Sequence, residues 1–166
     1  TLSLHDALPD LQVNGWSRTP REVEGVQCFH GDAGLQAFLA ASRFLVCLLP
    51  LTPDTEGLLN RDTLSRLQPG GYLINVARGA HLVDQDLLDL LESGQMAGAT
   101  LDVFHTEPLP ADHPFWRHPK ITVTPHTSAR TLRDETIAQI AGKLQAVAGG
   151  ADIASLGGVV NRQRGY

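Results

Sequence analysis

Apolar runs of strand length alternate with helical apolar spacings along the whole sequence, and that alternation admits few folds. Residues 11–16, 44–49, 72–76, 97–103 and 121–124 read as strands. Between them lie helix-compatible stretches. Leu35, Phe38 and Leu39 sit in 34–41, and Leu64 and Leu67 follow a capping Asn60 and stop at Pro69-Gly70-Gly71. Leu87, Leu88 and Leu91 follow Asp84, read as a cap, with Gly94 just beyond. A last helix, beginning near Thr131 and ended by Gly149-Gly150, carries Ile137, Ile140, Leu144 and Val147 on one face. Strands and helices in alternation imply an α/β fold, a parallel sheet with helices on both faces. The unbroken run at 44–49 predicts a strand buried on both faces. The irregular stretch at 104–120, dense in proline and histidine, is long enough to suggest a functional loop.

Composition removes several classes of function. The 166 residues include 13 basic and 18 acidic side chains, a net charge of -5. Without a basic excess the chain is not expected to bind nucleic acid, because phosphates would go unneutralised. No apolar run approaches the roughly 20 residues of a membrane span, so no membrane association is expected. No cationic-then-apolar leader is visible. Cys28 and Cys47 form neither a disulfide framework nor a metal motif, and the expected compartment is a reducing cytoplasm.

Ligands of open parallel sheets bind beyond the carboxyl ends of the strands, so the residues following each run are the candidates. They are Ser17-Arg18-Thr19, then Leu49-Pro50-Leu51-Thr52, then Ala77-Arg78-Gly79, then Asp102 with Glu107, and finally His126. An arginine, two acids and a histidine thereby gather at one sheet edge. Singly, each has an ordinary structural explanation; together at strand ends they point to chemistry. His30, His81, His105, His113 and His118 lack zinc-ligand spacing and are read as structural, and no metal site is expected.

Asn75-Val76-Ala77-Arg78-Gly79, Leu101-Asp102-Val103-Phe104 with Glu107-Pro108-Leu109, and Thr124-Pro125-His126-Thr127 resemble the three signatures of the D-2-hydroxyacid dehydrogenases. The stretch from Leu48 to Thr55 is a fourth family feature. Gly15-Trp16-Ser17-Arg18-Thr19 and the terminal Arg-Gly-Tyr are similar to the branch that reduces glyoxylate and hydroxypyruvate. The resemblance implies a Rossmann-like domain and reduction of a small 2-keto acid to a 2-hydroxy acid. Arg78 would hold the substrate's carboxylate and carbonyl through its planar fork. His126 would protonate the carbonyl oxygen, and Glu107 would favour the protonated ring. Asp102 would lie by the nicotinamide, flanked by Val76 and Ala77, while Leu49, Pro50 and Thr55 would line the adenosine side. The resemblance also implies a homodimeric parent.

The end of the first run offers Ser17, Arg18 and Thr19, with no acid before Glu22. An acid there would accept a ribose 2′-hydroxyl, whereas an arginine accommodates a 2′-phosphate; NADP(H) is therefore favoured, with NAD(H) as the alternative. No G-x-G-x-x-G precedes this run, and residues 1–10 match nothing in the family. The expected organisation is a non-family or mis-joined start at 1–10, a partial dinucleotide-binding domain at 11–149 that includes the last helix, and an irregular tail at 150–166. On this reading the chain is a C-terminal fragment with an incomplete sheet, inactive alone, whose last helix exposes its apolar face. Two alternatives stand beside a glyoxylate or hydroxypyruvate reductase: a dehydrogenase of phosphoglycerate or another 2-hydroxy acid, and a non-catalytic dinucleotide-responsive module.

Overall fold

A computed structural model describes residues 11–129 and 132–160. The expectation of an unrelated start at 1–10, the start of the last helix at Thr131 and the Arg-Gly-Tyr end lie outside the described residues. Strands β1 (Asn14–Ser17) and β2 (Gln27–His30) lead into α1 (Gly31–Ala40) and β3 (Phe44–Cys47). Helix α2 (Arg61–Leu64), β4 (Gly71–Asn75), α3 (Asp84–Glu92), β5 (Met96–Leu101), β6 (Ile121–Val123) and α4 (Arg133–Ala148) follow. Short 3₁₀ turns occupy Gly79–His81, Pro114–Arg117 and Ile153–Ser155.

Every strand pairing between these elements is parallel, in a Rossmann-like arrangement with helices on both sides. The strands form two sheets rather than one, β1–β2 and β3–β4–β5–β6, because among the described residues nothing pairs β1 with β3. Strand β2 departs from the sequence reading, which placed no strand between 16 and 44. Its four residues pair only with β1 and its two end residues are exposed, so it lacks the apolar signal of a buried strand. The expectation for 44–49 is half met. Leu45 and Cys47 are buried, but Phe44 is 59% exposed and Val46 40%, so one face of β3 is covered and the other is not.

The covered faces enclose one leucine-rich core, with Leu45, Leu73, Leu101, Leu64, Leu87, Leu91, Met96 and Phe115 at its centre. Each fully buried leucine there stabilises the fold by about 1.5–3 kcal/mol. Asn60 caps α2 as expected: its side chain accepts from the Thr63 amide while the Thr63 hydroxyl accepts from the Asn60 amide. The helix is a single turn, and Leu67 enters the core from the loop beyond it. Asp84 is not the cap of α3. Val83 occupies that position, and the Asp84 carboxylate turns to His105 and His113, at 3.7 and 3.5 Å. No residue of α4 is buried, and Ile137, Ile140, Leu144 and Val147 face outward.

The register fixes the edge that matters. Asn75 is paired with Leu101, and Leu101 with Val123, so β4, β5 and β6 end side by side and their next residues emerge together.

Candidate active site

Three strand ends build the site. Beyond β4, the Asn75 side-chain oxygen accepts from the Ala77 amide and its nitrogen donates to the Arg78 carbonyl, at 3.2 and 3.1 Å. This turns the chain sharply so that the Arg78 side chain is exposed at the edge. Gly79 allows the turn to press on the loop after β5: a Cβ built there would sit 1.9 Å from the Phe104 carbonyl carbon. A side chain at 79 is therefore incompatible with this packing.

Beyond β5, Asp102 is buried at 1% exposure. Burial would raise its pKa, but the Thr124 hydroxyl at 2.5 Å and the Thr127 and Ser128 amides, each at 3.0 Å, all donate to the carboxylate. These bonds outweigh burial and hold the group at about 2, an ionised carboxylate solvated by protein rather than water. The acceptors of Asp102 are thus engaged by the chain after β6, where it holds the loop carrying His126.

That loop needs holding. His126 has φ 51°, in the left-handed region that costs a non-glycine residue about 1–3 kcal/mol. Its amide donates to the Thr124 carbonyl, and Asp102 fixes the two residues after it. The ring reaches Glu107 across the edge, with Nδ1 2.7 Å from Oε2. Glu107 also accepts from the Phe104 amide at 3.0 Å. The contact with His126, then that amide bond, lowers the pKa of Glu107 below the usual carboxylate range. With Nδ1 committed to Glu107, Nε2 is the nitrogen left for a ligand.

Arg78, Glu107 and His126 line one cleft of about 300 Å³, together with Leu51, Gly79, Ala80, Phe104 and His105. A planar donor fork, a carboxylate-paired imidazole and an apolar wall there suit a small anion with a polarised carbonyl. His105, expected to be structural, is also among the residues lining the cleft, and its Nε2 lies 2.8 Å from the Leu82 carbonyl oxygen. A second hollow of about 410 Å³, walled by Pro108, Leu109, Trp116 and Val123, adjoins the first and shares Phe104, Glu107 and His126.

The other candidates stand apart from the cleft lining. Leu49 packs against the core, and Ala77 is buried just inside the edge, with Val76 beside it. The Pro50 carbonyl accepts from the Thr55 hydroxyl at 2.7 Å, closing the loop after β3. Ser17, Arg18 and Thr19 mark the end of β1, where the Ser17 hydroxyl donates to the Thr19 carbonyl at 2.8 Å. Arg18 Nη1 lies 2.9 Å from Asp54 Oδ2, both side chains solvent-facing. Hydroxyls beside an accessible guanidinium, with no acid on β1 itself, are a donor set that fits a phosphate monoester better than a ribose hydroxyl. Among the described residues no three His, Cys, Asp or Glu side chains converge as metal ligands, and no helix is long and apolar enough to cross a membrane.

Comparison with known proteins shows the family and the fold. Residues 7–128 match the family model for the D-isomer specific 2-hydroxyacid dehydrogenase, NAD binding domain. The chain is 53% identical over 156 residues to glyoxylate/hydroxypyruvate reductase A of Serratia proteamaculans, covering 94% of this chain and 49% of that protein. Among solved structures, it is similar to a D-isomer specific 2-hydroxyacid dehydrogenase of Xanthobacter autotrophicus Py2 in complex with NADPH and MES. That match has 42% identity and a TM-score of 0.87, over 93% of this chain and 63% of that one. An NADPH-dependent glyoxylate/hydroxypyruvate reductase of Sinorhizobium meliloti, in complex with NADP and sulfate, matches at 38% identity and TM-score 0.89, over 96% of this chain and 51% of that one. The chain spans about half the length of the curated relatives it matches.

Proposed function

The chain belongs to the D-isomer-specific 2-hydroxyacid dehydrogenases, and from that premise we propose that it serves NADPH-dependent reduction of glyoxylate, hydroxypyruvate or a similar small 2-keto acid. The observation that carries the proposal is the convergence of Arg78, Glu107 and His126 on one cleft, with the histidine and glutamate 2.7 Å apart.

In this reading Arg78 binds the substrate carboxylate and draws the carbonyl toward the cleft, its two parallel donors fixing the plane of the keto acid. When bound, the reduced dinucleotide supplies a hydride to the carbonyl carbon. His126 Nε2 holds the proton that the carbonyl oxygen receives as that bond forms. Glu107 on Nδ1 orients the ring and stabilises its positive charge before transfer. Asp102 keeps the His126 loop in its strained backbone, Val76 and Ala77 flank the nicotinamide, and Leu49, Pro50 and Thr55 line the adenosine side. Ser17, Arg18 and Thr19 receive the 2′-phosphate. NADP(H) is thereby favoured, NAD(H) is the weaker cofactor, and the parent protein is a homodimer acting in the cytoplasm.

The test is a turnover assay of the intact protein with glyoxylate and hydroxypyruvate, using NADPH and NADH in parallel. Saturable oxidation with NADPH preferred is the expected result. Absence of turnover with any 2-keto acid would mean that the site serves binding alone.

A further inference from the structure

Behind the cleft lies a histidine that takes no part in the chemistry above. His81 is fully buried, and its ring stands between the two loops on which the proposed ligands would rest. Nδ1 is 3.0 Å from the Arg78 carbonyl oxygen, and Nε2 is 3.3 Å from the Pro50 carbonyl oxygen. We propose that His81 is a positioning residue that clasps the Arg78 turn to the loop after β3, holding the keto-acid and dinucleotide sites in register. The ligand names rest on the reductase reading, while the clasp rests on the geometry of this chain.

Neither carbonyl depends on the histidine for a partner. The Arg78 oxygen also accepts from the Asn75 side chain at 3.1 Å and the His81 amide at 3.3 Å, and the Pro50 oxygen accepts from Thr55 at 2.7 Å. Those donors are all close in sequence to their acceptors. The bond from His81 to Pro50 spans 31 residues, so what the ring adds is the connection between loops. A carbonyl only accepts, so each contact requires a hydrogen on the ring nitrogen. Each oxygen accepts from the ring in one of its two tautomers, so a neutral ring alternates between the two loops and a protonated ring holds both at once. The surrounding backbone is braced in the same direction: the Leu59 amide donates to the His81 carbonyl at 2.8 Å, and the Gly57 amide to the Ala80 carbonyl at 2.9 Å. The ring touches neither proposed ligand, so its effect passes through Arg78 and Pro50.

Two conservative variants separate the two bonds. His81→Asn keeps an N–H near the position of Nδ1 and loses the reach to Pro50, while His81→Gln keeps a donor near Nε2 and loses the one at Nδ1. In the longer parent protein, His81→Asn is expected to weaken NADPH binding, read by fluorescence titration without turnover, about five- to tenfold, the size of one lost hydrogen bond. Its KM for glyoxylate should stay near wild type. His81→Gln should show the mirror pattern, with KM for glyoxylate raised and NADPH binding preserved. His81→Leu should lose both. Equal effects of Asn and Gln on the two ligands would overturn the clasp, as would a loss of thermal stability with both constants unchanged. Should wild type neither bind NADPH nor turn over, the reductase reading fails and hydrogen exchange judges the clasp. Asn must then speed exchange of the Thr52 and Thr55 amides and Gln that of the Ala77 amide. Identical exchange in the two variants would refute it.

Discussion

The Glu107–His126 pair and the Asp102 carboxylate use the same chemistry for different ends. Glu107 is exposed and lines the cleft, where its contact with His126 lowers its pKa. Replacing it by Gln keeps the shape and removes the anion that favours a protonated ring. The alkaline limb of kcat/KM for reduction should then move to lower pH while measurable activity remains; a limb coincident with wild type would break the assigned pairing. Asp102 is buried, and its depressed pKa is a stability statement. The stabilisation is complete above the unfolded value of about 4 and is lost as pH falls through about 2. Asp102→Asn should therefore cost about 2 kcal/mol at neutral pH in denaturant melts, and its deficit should shrink toward pH 2. A deficit independent of pH would show that the carboxylate charge is not what the loop needs.

The turn after β4 depends on a close approach between two loops. Gly79 lies against the Phe104 backbone, and a methyl group there must displace main chain rather than a flexible side chain. Gly79→Ala is expected to cost about 1–3 kcal/mol, as overpacking does. It should also raise KM for the keto acid, because Arg78 is the preceding residue. Urea melts and steady-state kinetics check the two effects together, and an unperturbed melt would contradict the contact. Local signals served some elements and failed others. The cap at Asn60 was legible because the amide it binds is three residues away. Strand β2 was not, because an edge strand of four residues needs only one neighbour and carries no apolar alternation.

Between the two sheets, Arg18 at the end of β1 meets Asp54 in the loop after β3. If that junction receives the 2′-phosphate, Arg18→Ala should lower the NADPH-over-NADH preference by about 1.5–3 kcal/mol, or at least tenfold, as loss of a charge-assisted bond does. The effect should fall on KM for NADPH and leave NADH nearly untouched; an unchanged preference would remove Arg18 from cofactor selection. Because both side chains are solvent-facing, the ion pair with Asp54 itself contributes little to stability.

Apart from β2, the order of strands and helices, most core leucines and the strand-end residues Arg78, Glu107 and His126 could be read from the chain alone. Each follows from interactions between near neighbours: helical spacing, strand length, caps and the rule that ligands gather at the carboxyl ends of parallel strands. Other features needed the folded chain. The division into two sheets, the uncovered face of β3, the turning of Asp102 onto the His126 loop and the entry of His105 into the cleft were not legible beforehand. These depend on pairs such as Asp102 with Ser128 and His81 with Pro50, 26 and 31 residues apart. No local pattern encodes such pairs, because which polar group meets which is settled only when packing brings the strand ends together and burial forbids water as the partner.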